Sequence, residues 1–237
     1  MNNPKIPVIN VVACLMPSYG IGYQGKLPWR LKQEMAYFKQ LTTNTRDPTK
    51  QNAVVMGRRT WESIPSRFRP LPSRLNVVVS RGFDTWATRH VDESNPLSTY
   101  IGAPDLRSAI TTLQQRAQEL RIERIYVMGG AQIYQAIAES GLLDHWLLTA
   151  VYPLDGTPEP PMDTWLTAPS PDHYILQTNE QQVRDFLPPS LDLLKPNPSS
   201  ADNPITKPKN NPNCGVFFVH SEKGYAFGIT LYDRRRN

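Results

Sequence analysis

The segment from Gly20 to Thr42, GIGYQGKLPWRLKQEMAYFKQLT, decides how this chain is interpreted. A glycine-rich loop leads into Pro28-Trp29, and the residues after it follow the periodicity of an amphipathic helix that begins near Arg30. The apolar positions at the spacing of one helix face are Leu31, Met35, Phe38 and Leu41 or Thr42. This pattern predicts a helix that packs against the core.

Glu34 falls on the same apolar face, three residues after Leu31 and four before Phe38. A carboxylate there is costly unless a specific group pairs with it, and burial should raise its pKa. Two interpretations are equally supported by this segment. Glu34 either caps free N–H groups of the first turn, although it lies slightly late for a cap, or it binds a ligand and handles a proton.

The loop before the helix formally matches the dinucleotide-binding pattern G-x-G-x-x-G, from Gly20 to Gly25, after a predicted strand at residues 8–15. In that fingerprint the glycines open a helix directly. Here Lys26 to Trp29 intervenes, and the strand ends before the glycines. We therefore reject the Rossmann interpretation and predict a flexible loop with glycine pivots, of the kind that serves as a lid.

The composition is that of a globular protein with its own core. The chain has 237 residues, of which 39% are hydrophobic, and its net charge is +5. No apolar run approaches the roughly 18 residues of a membrane span, and the N-terminus lacks the character of a signal peptide. Its two cysteines, Cys14 and Cys214, make neither a disulfide framework nor a metal cluster. We expect a cytoplasmic protein without a metal.

The positive charge is compatible with nucleic acid, a membrane surface or an anionic small ligand, and equally with an ordinary basic protein. The run Arg234-Arg235-Arg236 is better explained as a solvated end than as a nucleic-acid arm. Because no basic stripe is interleaved with aromatic residues, RNA binding is not indicated.

Strand-like and helix-like segments alternate along the first two thirds of the chain, which indicates an α/β domain with a largely parallel sheet. The predicted strands are residues 8–15, 52–56, 75–79, 124–128 and 144–151. The predicted helices are residues 57–65, 105–120 and 131–140, and the second of them turns Leu106, Ile110, Leu113 and Ala117 inward. Residues 85–100 are interpreted as an irregular insertion.

Prolines crowd the stretch from Pro188 to Pro212, for which no regular structure is predicted. Only a hairpin follows, at residues 215–220 and 225–232. Two strands cannot form a domain of their own, so they must return to the first sheet. Residues 1–237 are therefore interpreted as a single domain with insertions at about 85–100 and 178–213.

Three predicted strands end in similar turns: Gly57-Arg58-Arg59-Thr60, Ser80-Arg81-Gly82 and Gly129-Gly130-Ala131-Gln132. Ligands of open α/β sheets bind at the carboxyl ends of strands, where glycines and helix starts present N–H groups to an anion. Each turn alone is better explained as an ordinary connection. Together they favour one polyanion, such as a dinucleotide, and Arg58 and Arg81 favour the 2′-phosphate of NADPH.

Six segments, in this order, resemble the dihydrofolate reductase family, most closely its fungal members: GIGYQGKLPWRLKQEMAYFKQLT, VVMGRRTWESIP, RPLPSRLNVVVSR, RIYVMGGAQIY, DHWLLTAVY and YAFGITLYDR. They span nearly the whole chain apart from the insertions. The resemblance implies a single α/β domain with a mixed, mostly parallel eight-stranded sheet flanked by helices. It also implies NADPH-dependent reduction of 7,8-dihydrofolate to 5,6,7,8-tetrahydrofolate, which supports one-carbon metabolism and thymidylate synthesis.

For the substrate, the resemblance implies that Glu34 bonds N3–H and the 2-amino group of the pteridine and promotes protonation of N5 through water, while C6 receives hydride. Thr149 matches the hydroxyl partner of that acid. Arg74 matches the arginine that pairs with the glutamate α-carboxylate, a bidentate task suited to a guanidinium. The implied substrate positions are Val12, Ala13, Leu27, Glu34, Met35, Phe38, Lys39, Ile64, Leu71, Arg74, Met128, Tyr134 and Thr149.

For the cofactor, the resemblance implies that the backbones of Ala13 and Ile21 hold the nicotinamide amide. Gly129-Gly130 resembles the family's cis glycine pair, and the loop from Met16 to Lys26 matches its lid. The implied cofactor positions are Ala13, Gly20, Ile21, Gly22, Gly25, Lys26, Gly57, Arg58, Arg59, Thr60, Ser80, Arg81, Gly82, Gly129, Gly130, Ala131, Gln132, Ile133 and Tyr134.

The expected partner is a small molecule, namely dihydrofolate, folate or an antifolate inhibitor, with no obligate protein partner and no membrane. With no fused thymidylate synthase after Asn237, we expect a monofunctional, monomeric enzyme. A riboflavin-pathway reductase would keep the three turns but need not keep Trp29, Glu34, Phe38 and Arg74 together, so their joint presence argues against it. A non-catalytic RNA-binding or nucleotide-sensing protein would have no use for a buried Glu34, and salt-sensitive RNA binding without reductase activity would favour it.

Overall fold

The structure is a computed structural model that describes residues 5–84, 88–92, 95–195 and 215–236. In chain order the strands are β1 (Val8–Leu15), β2 (Gly20–Gly22), β3 (Gln51–Gly57), β4 (Arg74–Val79), β5 (Thr88–Asp92), β6 (Asn95–Ala103), β7 (Ile122–Val127), β8 (His145–Pro153), β9 (Thr164–Trp165), β10 (Tyr174–Leu176), β11 (Phe217–Glu222) and β12 (Tyr225–Arg234). The α-helices are α1 (Lys32–Thr43), α2 (Arg58–Ser63), α3 (Leu106–Gln115), α4 (Ala131–Glu139) and α5 (Glu180–Phe186). Single 3₁₀ turns cover Ser66–Phe68 and Asp192–Leu194.

The described chain forms two compact units. The first comprises Met1–Asn10 and Thr42–Asp144, and the second comprises Val11–Leu41 and His145–Asn237. Strand β1 contributes residues to both, because its first three residues belong to the first unit and its remaining five to the second.

In the first unit the strands are ordered β1-β7-β3-β4-β6-β5. All neighbours are parallel except β5, which runs antiparallel to β6. The central strands are continuous apolar runs, and Val54, Val55 and Met56 are fully buried. Such runs are typical of parallel strands that helices cover on both faces. Helix α3 buries three of the four predicted positions, Leu106, Ile110 and Leu113. Ala117 is also buried but lies beyond the helix, which ends at Gln115 and is shorter than the predicted 105–120.

In the second unit the strands are ordered β10-β12-β8-β1, and β11 pairs with β12. Strand β12 runs antiparallel to β8 over nine residue pairs, from Tyr225 opposite Pro153 to Asp233 opposite His145. The C-terminal hairpin therefore returns to the sheet, as the sequence predicted. The mixed sheet and flanking helices confirm the predicted α/β class.

Three predictions about irregular segments need correction. Residues 85–100 contain β5 and the first part of β6, so the described part of this insertion is not irregular. Residues 178–195 contain helix α5 and a 3₁₀ turn, whereas residues 196–214, with Cys214, lie outside the described residues. The loop from Gly20 to Gly25, which was predicted to be flexible, begins with β2, and this strand pairs with β1 and β9.

Within residues 5–84, 88–92, 95–195 and 215–236, no helix combines the length and the apolar character that crossing a bilayer requires.

Candidate active site

Helix α1 in the second unit carries Glu34 in its first turn, and the buried face of the helix is centred on that residue. Leu31, Tyr37 and Leu41 are buried together with Glu34, which is only 5% exposed. These positions recur every three to four residues, as expected for one face of a helix. The sequence therefore predicted correctly that a carboxylate lies on a buried helix face.

Of the apolar positions predicted for that face, Leu31, Leu41 and Thr42 are buried, but the prediction was wrong for Met35 and only partly right for Phe38. Met35 is 55% exposed, and Phe38 is half-buried. Met35 lies about 100° around the helix from Glu34, so it cannot share the buried face that Glu34 occupies. Tyr37, which the sequence analysis did not single out, takes the inward position instead.

The electrostatics of Glu34 are those of a carboxyl group without a charged partner. Burial raises its pKa from 4.5 to about 7, and no charge or hydrogen bond from the described residues contributes to the shift. The indole Nε1 of Trp29 is a second buried polar atom in this unit that lacks a hydrogen-bond partner among the described residues. Buried polar groups of this kind are expected to meet water or a ligand.

The alternative that Glu34 caps its own helix is not needed, because another residue performs that task. The backbone N–H groups of Lys32 and Gln33 donate to the carboxylate of Glu222, each at 2.9 Å. Sequence reasoning missed Glu222. The only signal was an acid in the Ser-Glu-Lys-Gly turn of the predicted hairpin, 190 residues away from Lys32.

The remaining predicted positions of the second unit differ in exposure. Val12, Gly20, Gly22 and Thr149 are buried, Ala13 and Ile21 are half-buried, and Gly25, Lys26, Leu27 and Lys39 are exposed. Leu27, with 48% of its surface exposed, and Met35 are large apolar residues that reach solvent. Apolar side chains that reach solvent are available for contact with a ligand.

The predicted lid is anchored at several points. The backbone N–H of Gln24 donates to Asp163 Oδ2 at 2.7 Å, and the N–H of Asp163 donates to the carbonyl of Gly22 at 3.0 Å. A Cβ at Gly20 would lie 2.7 Å from Cγ of Met162, so only glycine fits there without a shift. Gly20 therefore serves close packing, whereas Gly25, with φ +74°, supplies the conformational freedom of a glycine.

In the first unit, the turns after β3 and β7 meet. Gly57 N–H donates to the carbonyl of Gly129 at 2.8 Å, and a Cβ at Gly57 would lie 3.2 Å from Cγ1 of Ile133. Residue pairing places Gly57 opposite Val79, the last residue of β4, so the turn that begins at Ser80 starts at the same sheet edge. The structure thus brings the three predicted phosphate-binding turns to one edge of this unit.

Helix α4 begins at that edge with unused donors. The peptide bond between Gly129 and Gly130 is cis, as the sequence predicted, and Gly129 has φ +95°. No side chain caps α4, and within the described residues the N–H groups of Ala131 and Gln132 have no acceptor. Free N–H groups at a helix start are suited to a phosphate.

Arginines surround the same edge. Arg58, Arg59 and Arg81 are exposed, and the single acidic contact described for them is a 3.7 Å pair between Arg58 and Glu62. A pair between exposed side chains contributes little, so the guanidinium of Arg58 stays available to an anion. The other predicted positions of this unit are half-buried at Thr60, Ile64, Leu71, Ser80, Met128, Ala131 and Ile133, buried at Tyr134, and exposed at Gly82, Gly130 and Gln132.

Arg74 lies on β4 of the first unit and is buried, with 8% of its surface exposed. Its Nη1 donates to Thr42 Oγ1 at 2.5 Å, and its Nε donates to the carbonyl of Pro72 at 3.0 Å. Burial lowers its pKa to about 10, so it remains a cation at neutral pH. These bonds fix the guanidinium and leave further N–H groups for a ligand. The sequence analysis did not identify Thr42 as a hydrogen-bond partner of Arg74.

Comparison with known proteins agrees with this geometry. The family model for dihydrofolate reductase matches residues 8–186. The chain is 41% identical to the dihydrofolate reductase of Saccharomyces cerevisiae over 235 residues, which cover 99% of this chain and 100% of that protein. It is 41% identical to the dihydrofolate reductase of Candida albicans over 170 residues, which cover 71% of this chain and 79% of that protein.

The chain belongs to the dihydrofolate reductase family. As a member of this family it is an oxidoreductase that works with a nicotinamide cofactor. The phosphate-facing edge of the first unit fits such a cofactor, because it offers uncapped N–H groups on α4 and a glycine at position 57 where a side chain would crowd Ile133. The match to the Saccharomyces cerevisiae dihydrofolate reductase extends beyond residue 186 and includes β11 and β12.

Proposed function

We propose that this chain reduces 7,8-dihydrofolate to 5,6,7,8-tetrahydrofolate with NADPH as the hydride donor. Reduction of dihydrofolate follows from membership in the dihydrofolate reductase family, whereas NADPH and the roles of individual residues are inferred here from geometry and charge. The observation that carries the proposal is the buried Glu34, whose pKa of about 7 suits proton handling at neutral pH.

Glu34 binds and orients the pteridine. An ionised carboxylate accepts two hydrogen bonds side by side, which matches the N3–H and 2-amino donors of the ring. In its protonated form it supplies the acidity that lets a water molecule protonate N5. With its pKa raised by burial to about 7, both forms are populated near neutral pH. Thr149, buried on β8, is the proposed hydroxyl partner of this acid.

The apolar residues hold the rest of the substrate. We assign Leu27, Met35 and Phe38 of the second unit to the aromatic rings of the substrate. Met35 and Phe38 lie on α1 within four residues of Glu34, and Leu27 lies in the segment that leads into this helix. All three side chains have apolar surface that is exposed or half-buried. Arg74 is assigned to the α-carboxylate of the glutamate. Its guanidinium is already fixed by Thr42 and Pro72, so little side-chain entropy is lost on binding.

The cofactor would be held through its phosphates by the first unit. The N–H groups at the start of α4 and the turn from Gly57 to Thr60 would bind the pyrophosphate. Arg58 and Arg81 would bind the 2′-phosphate that distinguishes NADPH from NADH. When bound, the nicotinamide supplies the hydride that adds to C6 of the N5=C6 double bond, and N5 takes the proton.

The experiment is NADPH oxidation on addition of dihydrofolate, with NADH in a parallel cuvette. Rapid consumption of NADPH with formation of tetrahydrofolate, and far slower consumption of NADH, is the expected result. Equal use of both cofactors would contradict the assignment of Arg58 and Arg81 to the 2′-phosphate but would leave the proposed reduction of dihydrofolate intact. No turnover by folded protein would overturn the proposal and favour a riboflavin-type reductase.

We also propose that the enzyme acts in the cytoplasm as a monomer and as a single folding domain, without an obligate protein partner. The support is the buried free thiol of Cys14, which suits a reducing compartment, and strand β1, which contributes to both compact units.

A further inference from the structure

The first turn of α1 is held by a distant part of the chain. Both oxygens of the Glu222 carboxylate, at the end of β11, accept hydrogen bonds from consecutive backbone N–H groups, those of Lys32 and Gln33, at 2.9 Å each. In addition, Lys223 Nζ donates to the carbonyl of Arg30 at 3.1 Å. The negative side chain of Glu222 thus binds backbone N–H groups, and the positive side chain of Lys223 binds a backbone carbonyl, at or just before the start of α1.

The state of Glu222 fits this task. Burial would raise the pKa of its carboxyl, but the hydrogen bonds from Gln33 and Lys32, together with the positive charges of Lys223 and Lys32, lower it overall. The residue is therefore ionised at neutral pH and accepts both bonds as a carboxylate, which makes them stronger than bonds to a neutral amide.

A second tie holds the same helix two turns further on. Gln40 Nε2 donates to Asp192 Oδ2 at 2.6 Å, and the backbone N–H of Asp192 donates back to Gln40 Oε1 at 2.9 Å. The two ties are connected, because His220 Nε2 on β11 lies 3.2 Å from the carbonyl of Leu193. Both belong to the second unit, and the second lies in the segment for which the sequence predicted no regular structure.

We propose that Glu222 is a positioning residue that fixes the first turn of α1, and with it the Glu34 side chain, for reduction of dihydrofolate. Gln33 and Glu34 are consecutive, so a shift of the Gln33 amide moves Glu34. Alignment of reacting groups is sensitive to displacements of about 1 Å, which can cost up to about 100-fold in rate. This role rests on the proposed function of Glu34.

The test is Glu222→Gln, which removes one acceptor and turns an NH₂ group toward a backbone N–H. The matched control is Glu180→Gln on α5, because it removes the same charge from the same unit and its described bond is to Arg184 alone. A milder variant, Lys223→Met, removes the contact to Arg30. Turnover, KM for dihydrofolate, NADPH affinity and the folded fraction are measured for each variant.

For Glu222→Gln we expect kcat/KM for dihydrofolate to fall roughly 10-fold, with a raised KM, while the folded fraction and the NADPH dissociation constant stay within about twofold. Lys223→Met should shift kcat/KM in the same direction by less, and Glu180→Gln should match the wild type. A structural role alone would lower the active fraction and leave KM unchanged.

Wild-type kcat and KM in Glu222→Gln, or a loss that equals the loss of folded protein, would overturn the positioning role. Should Glu222→Gln fail to fold, unchanged kcat and KM in Lys223→Met would overturn it. A wild-type chain without dihydrofolate turnover would instead refute the proposed function, so the two failures are distinct.

Discussion

Glu34 is the buried carboxyl group to which the proposed function assigns the proton transfer. Its position in the middle of the buried face of α1 denies it water, and the described residues offer no cation to offset that cost. The same desolvation that makes the residue expensive for stability raises its pKa into the range where a general acid is most effective.

The first prediction is that Glu34→Gln folds normally but loses most activity at neutral pH, because an amide cannot supply the proton. In the wild type, turnover should fall as pH rises through the Glu34 pKa of about 7, where the acid form disappears. Initial rates between pH 5 and pH 9 check this. Wild-type turnover by the variant would refute the role given to Glu34.

A second prediction concerns stability and uses the same residue. The pKa of Glu34 rises from 4.5 in the unfolded chain to about 7 in the fold, so its stabilising contribution is complete below pH 4.5 and is lost as pH rises through about 7. The loss amounts to roughly 3 kcal/mol. Urea unfolding at pH 5 and pH 8 should show a smaller decrease in the free energy of unfolding for Glu34→Gln than for the wild type.

Arg74 leads to a third prediction. Arg74→Lys keeps the charge but loses the planar fork, so we expect KM for dihydrofolate to rise roughly 10- to 100-fold with little change in kcat. A pterin substrate that lacks the glutamate serves as the control, since its KM should not respond to the variant. An equal rise in KM for both substrates would show that Arg74 supports the fold and does not bind the glutamate of the substrate.

Among the helices, α3 shows how a local cap works. The Oδ1 of Asp105 accepts from the Ser108 N–H at 2.8 Å, and its Oδ2 accepts from the Ser108 hydroxyl at 2.5 Å. These bonds lower the pKa of Asp105, so its stabilising effect is present above its usual pKa of 3.8 and is lost as pH falls through the lowered value.

The fourth prediction follows from that cap. Asp105→Ala should lower the free energy of unfolding by about 1 kcal/mol at pH 7, and Asp105→Asn should lose less because its side-chain oxygen still accepts. Urea titrations of both variants provide the measurement. Equal losses in the two variants would show that charge, and not the cap, is what α3 requires.

The elements that the sequence predicted well are those with local signals. The run Val54-Val55-Met56 and the inward face of α3 follow from apolar periodicity alone, and Glu34 was located because it interrupts such a pattern. Strands β5 and β6 were missed because their residues are mixed in polarity. The cap of α1 by Glu222 could not be predicted, since it joins residues 190 positions apart.

At the scale of the whole molecule, β1 is a strand that contributes residues to both compact units, as α1 does through Thr42 and Thr43. Its first residues pair with β7 in the first unit, and its last residues belong to the second unit, whose sheet places β8 next to β1. A strand that must be ordered in both units couples their stability, because neither can lose it without cost to its sheet.

The fifth prediction is therefore a single cooperative unfolding transition. Hydrogen-exchange protection of β7 and of β12 should disappear at the same urea concentration, which mass spectrometry of the corresponding peptides can measure. Two separate midpoints would refute the interpretation as a single folding domain.

The tie between Glu222 and the start of α1 also bears on how the chain is made. Ribosomes add roughly 5 to 20 residues per second, so the carboxylate that completes α1 is synthesised about 10 to 40 s after the helix itself. During that interval the backbone donors of the first turn can bond only to water, and Glu34 lacks the anchor that Glu222 provides. The region around Glu34 would thus be among the last parts of the fold to be completed during translation, long after α1 itself has left the ribosome.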